Sequence, residues 1–301
     1  MDRRNFIKQT TYTTIGLGVF SNISWAHNKY VGDTITATDI LGPFYRPNAP
    51  SRTNLNPTDF SGEALHLSGT VTKHDGKTPM SNCLIEIWQN TSDGFYDNIS
   101  DEYLYRASQK TNNAGSYHFI TAIPVPEPLD EKLTLFRPAH IHMRISAEGQ
   151  QDLITQLYFQ GDPHLATDPS TKSELAINRI LTVKKTGDKK SEIRFDVTLN
   201  KEYLPENNVY HKISGVYKMA DGTLMEFYRD GDLLFYKTNG QIWGGLSYGG
   251  NNTFGGKEND TEARFELLTN GNVKVWFRFS RRKETKLEGT KILMYKKGSQ
   301  D

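Results

Sequence analysis

Residues 136–143 read Phe-Arg-Pro-Ala-His-Ile-His-Met, which sets His140 and His142 two apart. On a β-strand, residues two apart project from one face, so the two imidazoles can be offered to a single metal ion as half of its ligand set. The same spacing also describes a pair of half-buried histidines with no metal between them. Pro138 keeps Arg137 out of helical geometry and fixes how the chain enters the strand, while Arg137 sets a permanent cation beside whatever the histidines bind. Cys83 is the one cysteine, so an intramolecular disulfide is excluded. Next to Leu84 and Ile85 it reads as a small core residue rather than a nucleophile.

The elements that must hold this strand are short and closely spaced. Leu65 to Lys73 leads into a turn at His74-Asp75-Gly76, Cys83 to Gln89 is bounded by Asn90 to Gly94, and Ser116 to Ala122 follows Asn112-Asn113-Ala114-Gly115. His140 to Ser146, Leu153 to Phe159 and Glu192 to Asn200 follow, the last with Ile193, Phe195, Val197 and Leu199 alternating with polar residues. Ser173 to Leu181 reads as a short, loosely patterned helix. Upstream, His27 to Glu63 carries Pro43, Pro47, Pro50 and Pro57 and predicts an irregular arm wrapped over a core. The pattern is all-β, and turns roughly every ten residues predict an antiparallel β-sandwich over residues 27–205.

Asn207-Asn208 predicts a linker, and beyond it the texture changes. Asp221-Gly222, Asp230-Gly231, Asn239-Gly240 and Asn270-Gly271 are hairpin signals between aromatic strands such as Leu224 to Tyr228, Leu233 to Tyr236 and Val273 to Phe279. Residues 209–301 therefore form a smaller accessory domain, an antiparallel β-meander of about seven or eight strands, barrel-like or half-barrel. Trp243 and Trp276 in it fit a ligand-facing surface or ordinary strand aromatics equally, and Arg281-Arg282-Lys283 fits a solvated turn.

The first 26 residues stand apart. Arg3-Arg4 followed by Asn5-Phe6-Ile7-Lys8 has the twin-arginine form, Thr13 to Phe20 is a short apolar segment, and Ser24-Trp25-Ala26 suits cleavage. The expectation is an exported protein, periplasmic or extracellular, with the mature chain starting at His27 and no stable membrane anchor, since the apolar run is too short to span a bilayer. A net charge of +1 over 301 residues favours neither nucleic acid nor an anionic membrane. A new N-terminal histidine can chelate copper, but no further ligands lie near it in the sequence.

Several blocks together resemble the intradiol ring-cleavage dioxygenases of the catechol and protocatechuate type: Gly42-Pro43-Phe44-Tyr45, Leu67 to Val71, Ile85 to Gln89 with Gly94-Phe95-Tyr96, Arg137 to His142, and Thr155 to Phe159 with Gly161-Asp162-Pro163. The resemblance spans about residues 36 to 200 and implies a β-sandwich holding a ferric ion, Fe(III), on two tyrosinates and two histidines. It assigns Tyr96, His140 and His142 to three of those ligands, a hard-acid set of phenolate and imidazole. The fourth position departs from the family: where a tyrosine is expected in a Pro-x-Pro-Tyr-Pro loop, this chain has Pro124-Val125-Pro126-Glu127-Pro128. Glu127 then stands as a substitute ligand and base, or marks chemistry that has been lost.

The resemblance further implies that Arg137 and Gln156 lie beside the bound ring and stabilise negative charge as O2 adds. From the sequence itself, Arg137 fits equally a salt bridge to Asp130 or Glu131, and Tyr45 fits either a substrate pocket or core packing. His118 and His164 read as surface or supporting groups. The implied reaction takes a small aromatic diol and O2 to a muconate-type diacid without an organic cofactor. The alternative is an exported, non-catalytic binding protein for a catecholate, metal chelate or glycan on the same fold. A homodimer is one arrangement the sequence leaves open.

Overall fold

The computed structural model describes residues 24–26, 29–31, 35–172, 174–256, 261–279 and 285–294; the twin-arginine stretch, His27 and Arg281-Arg282-Lys283 lie outside them. Strands β1 (Ser24–Ala26) and β2 (Lys29–Val31) form a small antiparallel pair. The sandwich follows with β3 (Ala64–Thr72), β4 (Leu84–Trp88), β5 (Arg106–Lys110), β6 (Ser116–Ala122), β7 (Glu127–Pro128), β8 (Phe136–Arg137), β9 (His140–Ser146) and β10 (Leu153–Phe159). It closes with β11 (Ile180–Leu181), β12 (Lys184–Gly187), β13 (Lys190–Arg194) and β14 (Val197–Thr198). One sheet has the order β11-β10-β9-β4-β5, and the other β12-β13-β3-β14 with β6 also on β3.

Within this all-β frame four local features differ from the pattern read in the sequence. β3 pairs in parallel with β13 and β14, and β10 with β11, so the sheets are mixed. The strand expected over Glu192 to Asn200 is interrupted between Arg194 and Val197. There the Phe195 carbonyl accepts a hydrogen bond from Tyr117 Oη at 2.5 Å, over Gly69, where a Cβ would lie 1.9 Å from that oxygen. The helix expected from Ser173 is a 3₁₀ turn over Glu174–Arg179, and the expected linker is the start of helix α1 (Asn207–Ile213).

The two faces of β9 explain where chemistry can sit. Ile141, Met143 and Ile145 enter the core between the sheets, with Leu65, Leu67, Ile85, Ile87 and Leu157. By the two-residue period, His140, His142 and Arg144 share the outer face. A sheet packed on one side usually leaves its other face to water, yet His140, His142 and Arg144 are all buried. Two segments cover them: the arm around Asp39 to Tyr45 and the C-terminal barrel.

That barrel comprises β15 (Gly215–Met219), β16 (Leu224–Asp230), β17 (Leu233–Thr238), β18 (Gln241–Gly250), β19 (Thr253–Gly255), β20 (Thr261–Leu267), β21 (Val273–Phe279) and β22 (Thr285–Met294), closed by the β15–β22 pair. Its interior is filled by Tyr217, Phe227, Phe254, Phe265 and Phe277 in edge-to-face contacts, with Val209, Tyr210 and Ile213 of α1 packed into them. These side chains make it a packed core. The barrel docks through β17: Leu233 and Phe235 bury against Leu41, Tyr45, Trp88 and Ile154. At the preceding turn, Asp230 pairs with Arg144 at 3.0 Å, and a Cβ on Gly231 would lie 2.5 Å from Asp152 Oδ2.

Candidate metal centre

Strand register fixes the two histidines. His142 lies opposite Trp88 of β4 and Gln156 of β10, and His140 lies opposite Tyr158, so these side chains share the outer face. Trp88 stacks on His142 with ring centroids 4.8 Å apart and planes 7° apart, and Gln156 Nε2 sits 3.1 Å from His142 Nδ1. His140 Nδ1 is 2.7 Å from the Pro138 carbonyl, to which its N–H donates; the lone pair is then on Nε2, facing the site. The arm crosses above at Gly42, whose φ is +76° and whose Cβ, were there one, would lie 3.1 Å from His142 Cε1. Glycine is the residue that tolerates both demands.

Tyr96 arrives on the loop between β4 and β5. Phe44 of the arm stacks on it at 4.2 Å, and buried Arg106 ties loop to arm by donating to the carbonyls of Asp97 and Phe44, each at 2.7 Å. Tyr96 Oη is consequently 3.2 Å from His140 Nε2 and 3.1 Å from His142 Nε2, and the two Nε2 atoms are 3.1 Å apart. The short β7–β8 ladder sets Glu127 opposite Arg137, which brings Glu127 Oε2 to 3.4 Å from His140 Nε2 and 3.7 Å from Arg137 Nη1.

Three donor atoms at such separations match adjacent ligands lying about 2 Å from one common metal ion. Among the described residues no group of three His, Cys, Asp or Glu side chains closes on a point; the phenol of Tyr96 completes this triangle, with Glu127 at its edge. Burial, and then the Arg137 cation, hold His140 down to about 3, so its imidazole is a neutral donor. Burial and the Glu127 charge push the Tyr96 phenol well above its ordinary range. It ionises only against a cation placed beside it. Phenolate, carboxylate and two imidazoles suit a hard trivalent ion, and the residues fit iron on that chemistry.

The family model described as Dioxygenase matches residues 40–201, more than half of the chain. The chain belongs to the intradiol ring-cleavage dioxygenase family. It is 36% identical over 165 residues to a chlorocatechol 1,2-dioxygenase of Rhodococcus opacus, covering 47% of this chain and 64% of that protein. It is 30% identical over 207 residues to a catechol 1,2-dioxygenase of Acinetobacter lwoffii, covering 59% of this chain and 66% of that one. The chain thus spans just under two thirds of the length of these two relatives. Among solved structures, the catechol 1,2-dioxygenase of an Acinetobacter species with bound mercury aligns with a TM-score of 0.51 at 24% identity, over 66% of this chain and 70% of that one, a likeness of fold. The match to the family model ends before the barrel begins.

Within the dioxygenase portion, a buried network holds the site's cation. Arg137 donates from Nε to Asp168 at 2.9 Å and from Nη2 to Gln156 Oε1 at 2.8 Å and Tyr158 Oη at 3.1 Å. Burial works against its charge, but Tyr158, Asp168 and Glu127 together raise it above the ordinary arginine range. The Tyr158 hydroxyl is 2.8 Å from Asp39, which accepts from Ser170 Oγ at 2.9 Å and pairs with buried Arg179. Gln156 reaches the site through neighbours: its oxygen takes Arg137, and its nitrogen donates to the Ile40 carbonyl at 2.7 Å.

Tyr96, Glu127, Arg137, His140, His142 and Gln156 are therefore brought together. One expectation needs correction. Arg137 pairs with Asp168 and Glu127, not with Asp130 or Glu131; Asp130 instead caps its own turn through Thr134 and Leu135. Of the two readings for Tyr45, packing is the one realised: its ring meets Trp88 and Phe235, and its hydroxyl lies 3.1 Å from Glu86 and receives Arg144 at 2.9 Å. His118 pairs with His66 at 3.1 Å away from the site, His164 stacks on Phe136, and Cys83 is buried in the core. Asp39, Asp168 and Arg179 escaped the sequence reading, since nothing in their local spacing separates them from surface charges.

The centre opens on a cavity of about 290 Å³. It is lined by His142, Glu127 and Arg137 of the centre, Gly42 and Phe44 of the arm, and Trp243 and Leu246 of the barrel.

Proposed function

We propose that this protein is an iron-dependent intradiol dioxygenase that opens a catechol-type ring between its two hydroxylated carbons, both atoms of O2 entering a muconate-type diacid. The observation that carries the reading is the 3.1–3.2 Å triangle of Tyr96 Oη, His140 Nε2 and His142 Nε2 with the Glu127 carboxylate beside it. Tyr96, His140, His142 and Glu127 would hold the ferric ion, which supplies a Lewis acid for the diol and a redox centre for O2. Glu127 is the anion placed to accept a hydroxyl proton. Its ordinary pKa lies about six units below a phenol's, so it takes a proton only from a diol whose acidity has been raised. Arg137, clamped by Asp168 and Gln156, faces the charge that develops on the ring oxygens. Gln156 acts through Arg137 and His142 as a positioning residue. The twin-arginine pattern supports export, with this chemistry taking place outside the cytoplasm.

Iron content, the visible spectrum and O2 uptake of the purified protein test the proposal together. About one iron per chain is expected, with a tyrosinate band that disappears in Tyr96→Phe, shifts on adding catechol and is accompanied by consumption of one O2 per ring. Absence of iron, or catechol binding with no oxygen uptake, overturns it.

A further inference from the structure

The barrel lies outside the family match, yet it supplies one wall of the cavity in front of the metal centre. Trp243 of β18 and Phe279 of β21 are large aromatics that stay 43% and 37% exposed, and both face this space with Tyr236 and Leu246. An apolar side chain left exposed costs free energy unless something apolar covers it. Trp276, on the neighbouring surface of the same barrel, is treated differently: the Arg264 guanidinium covers its ring at 4.9 Å.

The wall is held in a fixed position. Gly244 and Gly245 follow Trp243 directly; a Cβ on Gly244 would lie 2.4 Å from Tyr236 Cε1, and one on Gly245 would lie 2.9 Å from Ile154 Cδ1 of β10. The glycine pair lets β18 close against the tyrosine ring on one side and against the dioxygenase sheet on the other. Gln241 Nε2 donates to the Pro43 carbonyl at 3.0 Å, tying the start of β18 to the arm that covers His142.

We infer that this barrel wall selects the substrate: the protein takes catechols that carry an apolar substituent, with the substituent seated against Trp243 and Phe279. The inference rests on reading the cavity as the site of the aromatic diol. An apolar cavity of about 150 Å³ accommodates a benzene ring. The cavity here, about 290 Å³, leaves roughly half its volume beyond a single ring, and Trp243, Leu246 and Phe279 of the barrel line it. A carboxylated ring is disfavoured on charge. Among the described lining residues Arg137 is the one cation; its donors are directed to Asp168, Gln156, Tyr158 and His140 Nε2, and the Glu127 carboxylate, 3.7 Å from Nη1, sets a negative charge beside it.

The test compares catechol, 4-butylcatechol and 3,4-dihydroxybenzoate on the full chain, first as Kd by anaerobic calorimetry and then as kcat/KM from oxygen uptake. The wild type is expected to bind 4-butylcatechol at least about tenfold more tightly than catechol, and 3,4-dihydroxybenzoate most weakly. In Trp243→Ala/Phe279→Ala the butyl-to-catechol ratio should fall to about two or less. Trp243→Phe should retain most of the preference, and Trp276→Ala, on the barrel surface outside the cavity, should keep all of it. A wild type without the preference, or a double variant that keeps it, overturns the inference. A Kd ratio that behaves as expected while no oxygen is consumed leaves the wall standing and removes the dioxygenase reading. Failure of any diol to bind removes both.

Discussion

Replacing Asp168 with alanine removes the principal counter-ion of the buried cation at the site. The Arg137 and Asp168 side chains are 3% and 2% exposed, with Nε and Oδ2 2.9 Å apart, so solvent screens the pair little. Taking one partner from such a pair leaves a desolvated charge and typically costs about 3–5 kcal/mol. For a chain of this size that corresponds to a fall in the thermal midpoint of the order of 10 °C. The loss also frees the Ser170 amide, which donates to Asp168 at 2.7 Å, so the upper half of the range is expected. Urea denaturation of wild type, Asp168→Ala and Asp168→Asn measures it, with asparagine intermediate because its oxygen still accepts from Nε. Oxygen uptake with catechol should drop as well, since Arg137 would swing toward Glu127, now 3.7 Å away, and draw the proposed base off the metal position. A stability loss below about 1 kcal/mol would refute the reasoning, showing that Glu127 already neutralises Arg137 and that Asp168 is incidental.

Two further perturbations probe the cover of the site and the docking of the barrel. Gly42→Ala must place a Cβ at φ +76° and 3.1 Å from His142 Cε1, so a destabilisation of about 1–3 kcal/mol with a loss of bound iron is expected; thermal midpoint and iron per chain read it, and an unchanged iron content contradicts it. Asp232 is pushed up to about 6 by burial and then by Asp152 and Glu202. A carboxyl raised in the folded state takes up protons on folding, so its cost is present at pH 7.5 and fades as pH falls through 6 toward its unfolded value of about 4. Asp232→Asn should therefore be more stable than wild type at pH 7.5, with the advantage shrinking by pH 5. An equal difference at both values would contradict the assignment.

Much of this was legible in the residues, and the failures have physical causes. His-x-His carried the candidate metal-binding pair because a strand's two-residue period places both imidazoles on one face whatever surrounds it. The even pattern of β9, with both faces buried, could not reveal what covered the second face, because the arm and the barrel are remote in sequence. Phe195 kept its inward alternation while the strand around it broke, since the break depends on Gly69 and Tyr117 from other strands. Asn207-Asn208 looked like a linker by composition, but Val209, Tyr210 and Ile213 follow with helical spacing and find the barrel interior. Arg179 and Asp168 are buried because they neutralise partners brought together by the fold, so nothing in their local sequence set them apart from surface charges.

The row His140, His142, Arg144 on one face of one strand joins the two halves of the molecule. The first two members point to the candidate metal triangle, while the third binds Tyr45, Asp152 and Asp230, the last of them at the tip of the barrel's docking hairpin. Aromatic packing repeats the link: Phe235 of the barrel meets Tyr45 at 5.7 Å, Tyr45 meets Trp88 at 5.1 Å, and Trp88 stacks on His142 at 4.8 Å. Interiors packed this closely do not absorb a displaced ring; they pass it on. Leu41, Trp88 and Ile154, each no more than 4% exposed, owe that burial to Leu233 and Phe235. A dioxygenase sheet stripped of the barrel would therefore present an apolar face to water directly behind His142, a proposed metal ligand. The barrel is thus fastened to the centre's own support, and the proposed specificity wall on it can be held to the tolerance that ring selection demands.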